Sequence, residues 1–234
     1  MTPKRLSTTL TLLLAALALT GCLTPVHGPK YIDPDDFDFT SILPNPPAND
    51  SAQTRSELDE ILAMQASRTP EQAVRVKAQS PPTPTLFAPI ISPTFDFNPH
   101  PVTCMLLRQV EVDAGAVVDR AKHHWARPRP GNLDPKVRYE VNEPFFSTSY
   151  PSADTTIATA WAVVIQELFP EKRTELMAKA YDIGIDRILA GVHYRSDVVA
   201  GRQLGLAVAA KILKSADFQR DLAAARKELA VGKN

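Results

Sequence analysis

The chain has little of what would direct it to nucleic acid, to a metal or into a membrane. Basic and acidic residues balance at 26 each, so no charged surface favours a nucleic acid. Histidine, cysteine and carboxylate residues are not spaced as in a zinc site, and we expect neither a metal nor another cofactor. After residue 22 the sequence contains no apolar run of the roughly 18 residues that a membrane-spanning helix needs. These absences favour a globular protein outside the bilayer core.

The sequence also lacks long period-two alternation and internal repeats, so a sheet or a repeat protein is not expected. Apolar residues recur at helical spacing instead, and Thr69-Pro70 with Gln72 forms a capping-box signal. We predict one all-α helical-bundle domain over residues 51–234, with a proline-enforced loop between Pro81 and Pro101. The predicted helices cover 51–67, the segment after Thr69, 102–125, 155–169, 171–189, 197–213 and 216–229.

The N-terminal segment has the pattern of an export signal. Lys4 and Arg5 precede an apolar run over 10–19, and the segment closes at Leu19-Thr20-Gly21-Cys22. This pattern resembles a bacterial lipoprotein signal, which predicts that residues 1–21 are removed and that Cys22 is lipidated. Acyl chains would then hold the protein to a membrane on the periplasmic side, and Leu23 after the cysteine favours the outer membrane by the same resemblance. An ordinary cleaved signal peptide is the alternative.

Residues 22–50 are predicted to form a proline-rich tether. Fourteen of the 21 prolines lie between Pro25 and Pro101, which separates an irregular N-terminal third from a regular remainder. A wholly flexible tether does not need large apolar side chains, so we expect four of them to pack on the domain: Tyr31, Phe37, Phe39 and Ile42. If Cys22 is acylated, Cys104 has no partner in the chain, and we expect it to be a small buried thiol with no catalytic role.

Three short blocks place charged and small residues at the expected ends of helices. The first is Lys122 followed by Arg129-Pro130, the second is Pro151-Ser152-Ala153-Asp154, and the third is Asp186-Arg187 with His193 and Asp197. Ser152 is a plausible helix N-cap, which leaves backbone N–H groups directed at an anion. His193 and Asp197 are four residues apart, so the carboxylate can reach the imidazole across one helical turn.

Each block alone has a structural explanation as a loop, a cap or a surface ion pair, but their order and spacing together are specific. The pattern Lys122-x6-Arg129-Pro130, Pro151-Ser152 and Arg187-x5-His193-x3-Asp197 resembles the signature of the class A non-specific bacterial acid phosphatases. These belong to the type 2 phosphatidic acid phosphatase and vanadium haloperoxidase superfamily. The resemblance implies an all-helical fold, a tendency to form homo-oligomers, and metal-independent hydrolysis of phosphate monoesters through a phosphohistidine.

The resemblance also implies a role for each matching residue. His193 would be the nucleophile, and Asp197 would orient it. The phosphoryl oxygens would be held by five residues: Lys122, Arg129, Ser152, Ala153 and Arg187. Arginine suits this task because its forked donors match phosphate.

The chain departs from the family pattern at three positions. Asp186 replaces a serine, which removes one contact to phosphate or to a neighbour, and Ala153 replaces a glycine. Asp154 replaces the histidine that protonates the leaving alcohol in the family. A model aspartate titrates roughly 2.6 units below a model histidine, so Asp154 is an acid catalyst only in acidic conditions. A helix-start residue with no catalytic task is the alternative for Asp154.

Two further functions remain open, and one is disfavoured. A phosphate-binding lipoprotein of the same fold, impaired in turnover, is favoured by Asp154. A vanadate-dependent haloperoxidase would share the pocket, but the missing histidine and the chain length weigh against it. An integral-membrane lipid phosphatase is disfavoured because the apolar runs are short. For His123 and His124, packing or exposure is favoured over a place in the pocket.

Overall fold

The structure is a computed structural model that describes residues 26–143 and 147–231. Within these ranges all regular structure is helical and no strand is present, which confirms the all-α prediction. None of these helices is both long and apolar enough to cross a membrane. The predicted signal peptide and Cys22 lie outside the described residues. The α-helices are α1 (Ala52–Ser67), α2 (Pro70–Ala78), α3 (Ala88–Ile91), α4 (Pro101–Trp125), α5 (Pro130–Leu133), α6 (Ala153–Leu168), α7 (Arg173–Leu189), α8 (Arg195–Ile212) and α9 (Ala216–Val231).

Helix ends follow the capping signals in the sequence. Thr69 and Gln72 form the predicted reciprocal capping box, and Ser152 caps α6 as expected. The predicted loop between Pro81 and Pro101 is wrong in part, because a 3₁₀ turn over Pro84–Phe87 runs directly into α3. Proline at the first turn of a helix loses no backbone hydrogen bond there, so these prolines begin short helices as well as interrupting long ones.

Helix α6 lies at the centre of the bundle and packs against α4, α7 and α8. The backbones of α6 and α8 approach each other closely. A methyl group added at Gly201 would come within 2.6 Å of the Ser152 carbonyl oxygen, and one at Gly205 within 2.5 Å of the Thr156 carbonyl oxygen. Glycine at both positions lets the two helices approach closely. The backbone N–H of Ser152 consequently donates to the Asp197 carbonyl oxygen at 3.0 Å, which joins the starts of α6 and α8.

The segment before α1 packs on the bundle through the predicted side chains. Tyr31, Phe37 and Phe39 are buried, and Ile42 is partly buried against the same core. The Asp113 carboxylate on α4 fixes the segment by accepting hydrogen bonds from the backbone N–H groups of Tyr31 at 2.8 Å and of the next residue at 2.9 Å. The packing prediction for this segment is confirmed.

Cys104 is buried in α4, as predicted, but it is not a free thiol. No cysteine within the described residues is free, and Cys104 is one half of a disulfide. The expectation of an unpaired thiol is therefore wrong. It depended on acylation of Cys22, the one other cysteine in the chain. A sulfur in a disulfide is not a nucleophilic thiol, so Cys104 has no place among the candidate nucleophiles.

Candidate active site

The three sequence blocks meet at one end of the bundle. Lys122 lies in the last turn of α4, and Arg129 follows in the loop before α5. Ser152, Ala153 and Asp154 begin α6. Arg187 lies in the last turn of α7, and the tight turn that follows carries His193 into the start of α8. Residues 122 to 197 thus supply one cluster from four helix ends.

His193 and Asp197 form a buried pair. The imidazole Nδ1 lies 3.2 Å from Asp197 Oδ2, and the two residues are 3% and 0% exposed. Asp197 Oδ2 also accepts the Tyr194 backbone N–H at 2.9 Å, which fixes the carboxylate at the third position of α8. Because a carboxylate only accepts, Nδ1 carries the proton and the Nε2 lone pair is left for other partners.

The charges around the pair keep the imidazole neutral. Burial, together with the cation of Arg129, lowers the pKa of His193 to about 3, against the raising effect of Asp197. Burial alone raises the pKa of Asp197, but the hydrogen bond from His193 and the charge of Arg127 outweigh it, and the net pKa lies below its usual range. The pair is therefore a neutral imidazole held by an ionised carboxylate.

Arg129 contacts the free side of the imidazole. Its Nη1 lies 3.2 Å from His193 Nε2 and donates to the Val192 carbonyl oxygen at 2.7 Å. Nε donates to Ser147 Oγ at 2.6 Å, and Nη2 forms an ion pair with Glu143 Oε2 at 2.9 Å. An anion that became bonded to Nε2 would therefore lie next to the guanidinium. Glu143 balances the charge of Arg129.

Lys122 enters the cluster from α4. Its Nζ donates to the Thr148 carbonyl oxygen at 2.5 Å. Burial, assisted by the nearby cation of Arg129, lowers the pKa of Lys122 to about 8, while the charges of Asp197, Glu143 and Asp154 oppose this shift. Lys122 is a cation at neutral pH and an amine in moderately alkaline solution.

The start of α6 faces Arg187. Ser152 Oγ caps the helix by accepting the Thr155 backbone N–H, and Ala153 is the first helical residue. Asp154 Oδ2 accepts from Arg187 Nη1 at 3.2 Å, and the two side chains are 23% and 0% exposed. Arg187 Nη2 donates to the Val76 carbonyl oxygen at 3.3 Å, while its buried Nε finds no acceptor among the described residues. Arg187 is a buried cation with spare hydrogen-bond capacity.

Asp186 does not belong to this cluster. Its carboxylate accepts from Arg75 Nε at 3.1 Å and from Arg75 Nη2 at 2.6 Å, a bidentate pair that joins α7 to α2. Asp186, where the resemblance leads one to expect a serine, therefore has its charge neutralised by Arg75. His123 and His124 are exposed, and the His124 ring packs against Phe39. The expectation that these two histidines pack or face solvent is confirmed.

Three residues of the site were missed in the sequence. Arg127 donates to Asp197 Oδ1 at 2.7 Å, and Glu57 on α1 accepts from Arg127 at 3.3 Å. Glu143 pairs with Arg129, as described above. The only signal for Arg127 was the repeated arginine-proline pair just before Arg129. Neither glutamate lies in a motif, because the fold alone brings them to the cluster.

The chain is similar to several known proteins. A family model described as PAP2 superfamily matches residues 102–221. The non-specific acid phosphatase of Salmonella typhimurium is 28% identical over 231 residues, which cover 94% of this chain and 90% of that protein.

Two solved structures share the fold. A transmembrane PAP2 type phosphatidylglycerolphosphate phosphatase from Bacillus subtilis has a TM-score of 0.51 at 21% identity, covering 70% of this chain and 87% of that one. A bacterial vanadium-dependent iodoperoxidase has a TM-score of 0.57 at 18% identity, covering 76% of this chain and 52% of that one. At these identities the likeness concerns the fold alone. With its family model covering half of the sequence, the chain belongs to the PAP2 superfamily.

Proposed function

We propose that this protein is an acid phosphatase that hydrolyses phosphate monoesters without a metal ion, through a phosphohistidine formed on His193. The observation that carries the proposal is the buried His193–Asp197 pair with Arg129 at its free nitrogen. Similarity to a non-specific acid phosphatase along nearly the whole chain supports the same chemistry.

In the first step the Nε2 lone pair of His193 attacks phosphorus in line, and the bond from phosphorus to the leaving oxygen breaks. Arg129 Nη1 exchanges its contact with Nε2 for one with a phosphoryl oxygen. Asp197 stabilises the positive charge that develops on the ring. In the second step water attacks the phosphohistidine, the P–N bond breaks, and inorganic phosphate leaves.

The positive charge for phosphoryl transfer comes from side chains. Lys122, Arg129 and Arg187 bind the non-bridging oxygens, and the helix start at Ser152 and Ala153 adds neutral donors. Phosphoryl transfer depends mainly on positioning and charge neutralisation. Three cations beside a neutral nucleophile provide both, and we therefore propose that turnover survives metal chelation.

Protonation of the leaving group is the weak step. Asp154 occupies the position of the family's acid, but it faces the buried cation of Arg187. With Oδ2 bound to Arg187 Nη1 at 3.2 Å, the carboxylate is engaged in an ion pair and is not free to serve the leaving oxygen. We therefore propose that aryl phosphates, whose leaving groups need little protonation, are hydrolysed faster than alkyl phosphates.

The Asp154–Arg187 pair also favours a second candidate, a phosphate-binding protein with little turnover. In that case Arg187 would have to release Asp154 before it could bind phosphate. Binding of inorganic phosphate without hydrolysis of any aryl phosphate would identify this function. A label on His193 would exclude it.

We further propose that the mature protein is anchored on the periplasmic side of the bacterial envelope through acylated Cys22. Acylation and a disulfide at Cys22 exclude each other, because both consume the same sulfur, so the anchor requires that Cys104 forms its disulfide with another molecule. Mass spectrometry of the N-terminal peptide, before and after reduction, separates the two. An acylated peptide supports the anchor, and a peptide released from Cys104 by reduction overturns it.

The decisive experiment is a phosphatase assay with an aryl phosphate from about pH 3 to about pH 8, on the wild type and on His193→Ala, with and without a chelator. We expect turnover in the wild type that survives chelation and is lost in the variant. Quenching in base should trap the phosphoryl group on His193. Equal activity in His193→Ala would overturn the proposed nucleophile.

A further inference from the structure

A chain of buried charges extends behind the His193–Asp197 pair. Arg127 Nη1 donates to Asp197 Oδ1 at 2.7 Å and to Ser196 Oγ at 2.7 Å. Arg127 is 2% exposed, and its guanidinium lies over the Tyr194 ring at 3.9 Å. Asp197 is thus held from both sides, by the imidazole at Oδ2 and by the guanidinium at Oδ1.

Helix α1 supplies the opposite charge. Glu57 Oε2 lies 3.3 Å from Arg127 Nη2 and accepts from Ser196 Oγ at 2.8 Å, while Oε1 accepts the Ser196 backbone N–H at 3.1 Å. Glu57 is 8% exposed. The carboxylate therefore binds both Arg127 and the first turn of α8, the turn that carries Asp197.

We propose that Arg127 and Glu57 are positioning residues for the nucleophile, which set the place and the charge of Asp197 and through it the orientation and basicity of His193. The inference rests on the proposed function of His193. Neither residue contacts the reacting phosphorus in this account. Arg127 binds Oδ1 of Asp197, and this leaves Oδ2 to face the imidazole. Both residues therefore affect His193 through Asp197.

Arg127 and Glu57 are both buried, so the loss of either charge has a large effect. A charge out of water that loses its partner is strongly unfavourable, and removing either Arg127 or Glu57 would leave the other of the two and Asp197 to reorganise beside His193. With Arg127 in place, part of the Asp197 charge is balanced, so the carboxylate stabilises an imidazolium less. Removing the arginine charge should raise the pKa of His193, and removing the glutamate charge should lower it or leave it unchanged.

Other charged groups also face this pair and must stay constant in the test. Lys122 approaches His193 from the end of α4 and Arg129 from the loop before α5, and Glu143 faces Arg129. Arg187 and Asp154 face the cluster from α7 and α6. None of them is altered by a substitution at Arg127 or Glu57, so a shift in the titration of His193 reports the buried pair.

The experiment uses the full-length protein with three substitutions: Arg127→Gln, Arg127→Lys and Glu57→Gln. We expect kcat for an aryl phosphate to fall about 10–100-fold in Arg127→Gln, by analogy with the loss seen when an outer partner of a metal-ligating histidine is removed. Arg127→Lys, which keeps the charge, should recover part of the loss. The His193 imidazole resonance, assigned with His193→Asn, should titrate at higher pH in Arg127→Gln and not in Glu57→Gln.

Glu60→Gln is the matched control. Glu60 lies one turn after Glu57 on α1 and pairs with Arg195 on α8, so it joins the same two helices without contacting Arg127. We expect it to leave kcat and the His193 titration unchanged. Folded Arg127 variants with wild-type kcat and titration overturn the proposal, as does an equal loss in Glu60→Gln. If Arg127→Gln does not fold, Arg127→Lys decides, because a folded lysine variant with wild-type kcat overturns the proposal.

The NMR titration needs no turnover. If the wild type hydrolyses nothing but the His193 titration moves as expected, the proposed function fails while the positioning role stands. If the wild type is active and the titration does not move, only the positioning role fails.

Discussion

The two halves of the candidate site are built differently. One half, which we call the attacking half, comprises His193 and Asp197, and both residues are buried. Asp197 Oδ1 accepts from Arg127 at 2.7 Å, and Oδ2 accepts the Tyr194 backbone N–H at 2.9 Å. In the leaving-group half, Asp154 is 23% exposed and is held by Arg187 at 3.2 Å. One half is a closed network of charges, whereas the other is a single ion pair at the edge of the cluster.

This difference indicates where the chain tolerates change. Each member of the buried network has several partners, so losing one leaves an unpaired charge out of water. Asp154 lies in the first turn of α6, where a carboxylate is stabilised by the helix dipole whatever its catalytic value. A substitution at this position can alter the chemistry while leaving the fold intact. The attacking half has no such freedom.

The largest effect is expected from breaking the attacking half at Asp197. Asp197→Asn removes the charge that orients His193 and offers the ring an amide in place of a carboxylate. In serine proteases the equivalent change costs about 10⁴-fold in kcat, because the imidazole tautomer is wrong. We expect a loss of similar order with an aryl phosphate. A loss below about tenfold would contradict the orienting role.

The second prediction repairs the leaving-group half. Asp154→His should raise turnover of an alkyl phosphate by about 10²–10⁴-fold, the usual contribution of general acid catalysis. Turnover of an aryl phosphate should change much less, because its leaving group needs little protonation. The ratio of the two rates is the measurement, since it cancels differences in folded fraction.

Asp154→Asn is the matched control for this repair. It removes the pair with Arg187 as the histidine variant does, but it supplies no proton. If both variants raise alkyl phosphate turnover equally, release of Arg187 is the cause and position 154 is not the acid. No gain in either variant would also remove Asp154 from the mechanism.

The same contrast explains what the sequence could predict. The long helices, the Thr69 capping box and the Ser152 cap depend on residues a few positions apart and were predicted within a few residues, whereas the short helices α3 and α5 were not predicted. The direct contact between His193 and Asp197 follows from one helical turn. Local chemistry therefore predicted the contact between His193 and Asp197 and the helices that carry it.

What could not be predicted depends on distant contacts. Glu57 reaches Arg127 across 70 positions, and Asp186 is neutralised by Arg75 across 111. No local pattern encodes either pair, because both arise from the packing of α1 and α2 on the bundle. The disulfide at Cys104 was missed for a different reason, because the lipoprotein interpretation assigned Cys22 to acylation.

The third prediction concerns the pH at which Lys122 loses its positive charge. The pKa of Lys122 is lowered to about 8, so its cationic form is present below that pH and is lost above it. We expect kcat/KM to fall above about pH 8, by about tenfold per unit, because the free enzyme loses a phosphate ligand. Lys122→Arg should move this alkaline limb to higher pH. A limb that stays at the same pH in Lys122→Arg would assign it to another group.

The smallest effect concerns the spacing of the two halves. Gly201 of α8 lies against the Ser152 carbonyl oxygen of α6, and an added methyl group would come within 2.6 Å of it. Because the contact is with backbone, relief requires the helices to separate, and overpacking of this kind costs about 1–3 kcal/mol. Gly115 in α4 has open space where a methyl group would be placed. Gly115→Ala should therefore leave stability unchanged or raise it by about 0.5–1 kcal/mol.

Denaturant unfolding of Gly201→Ala and Gly115→Ala measures this contrast. In Gly201→Ala the start of α6 should also shift away from Asp197, since the Ser152 N–H is bonded to the Asp197 carbonyl oxygen. Turnover by the folded fraction should consequently fall as well, whereas Gly115→Ala should turn over at the wild-type rate. Equal stabilities of the two variants would mean that α6 and α8 separate without cost, and the fixed spacing between nucleophile and leaving-group position would then not be a property of the fold.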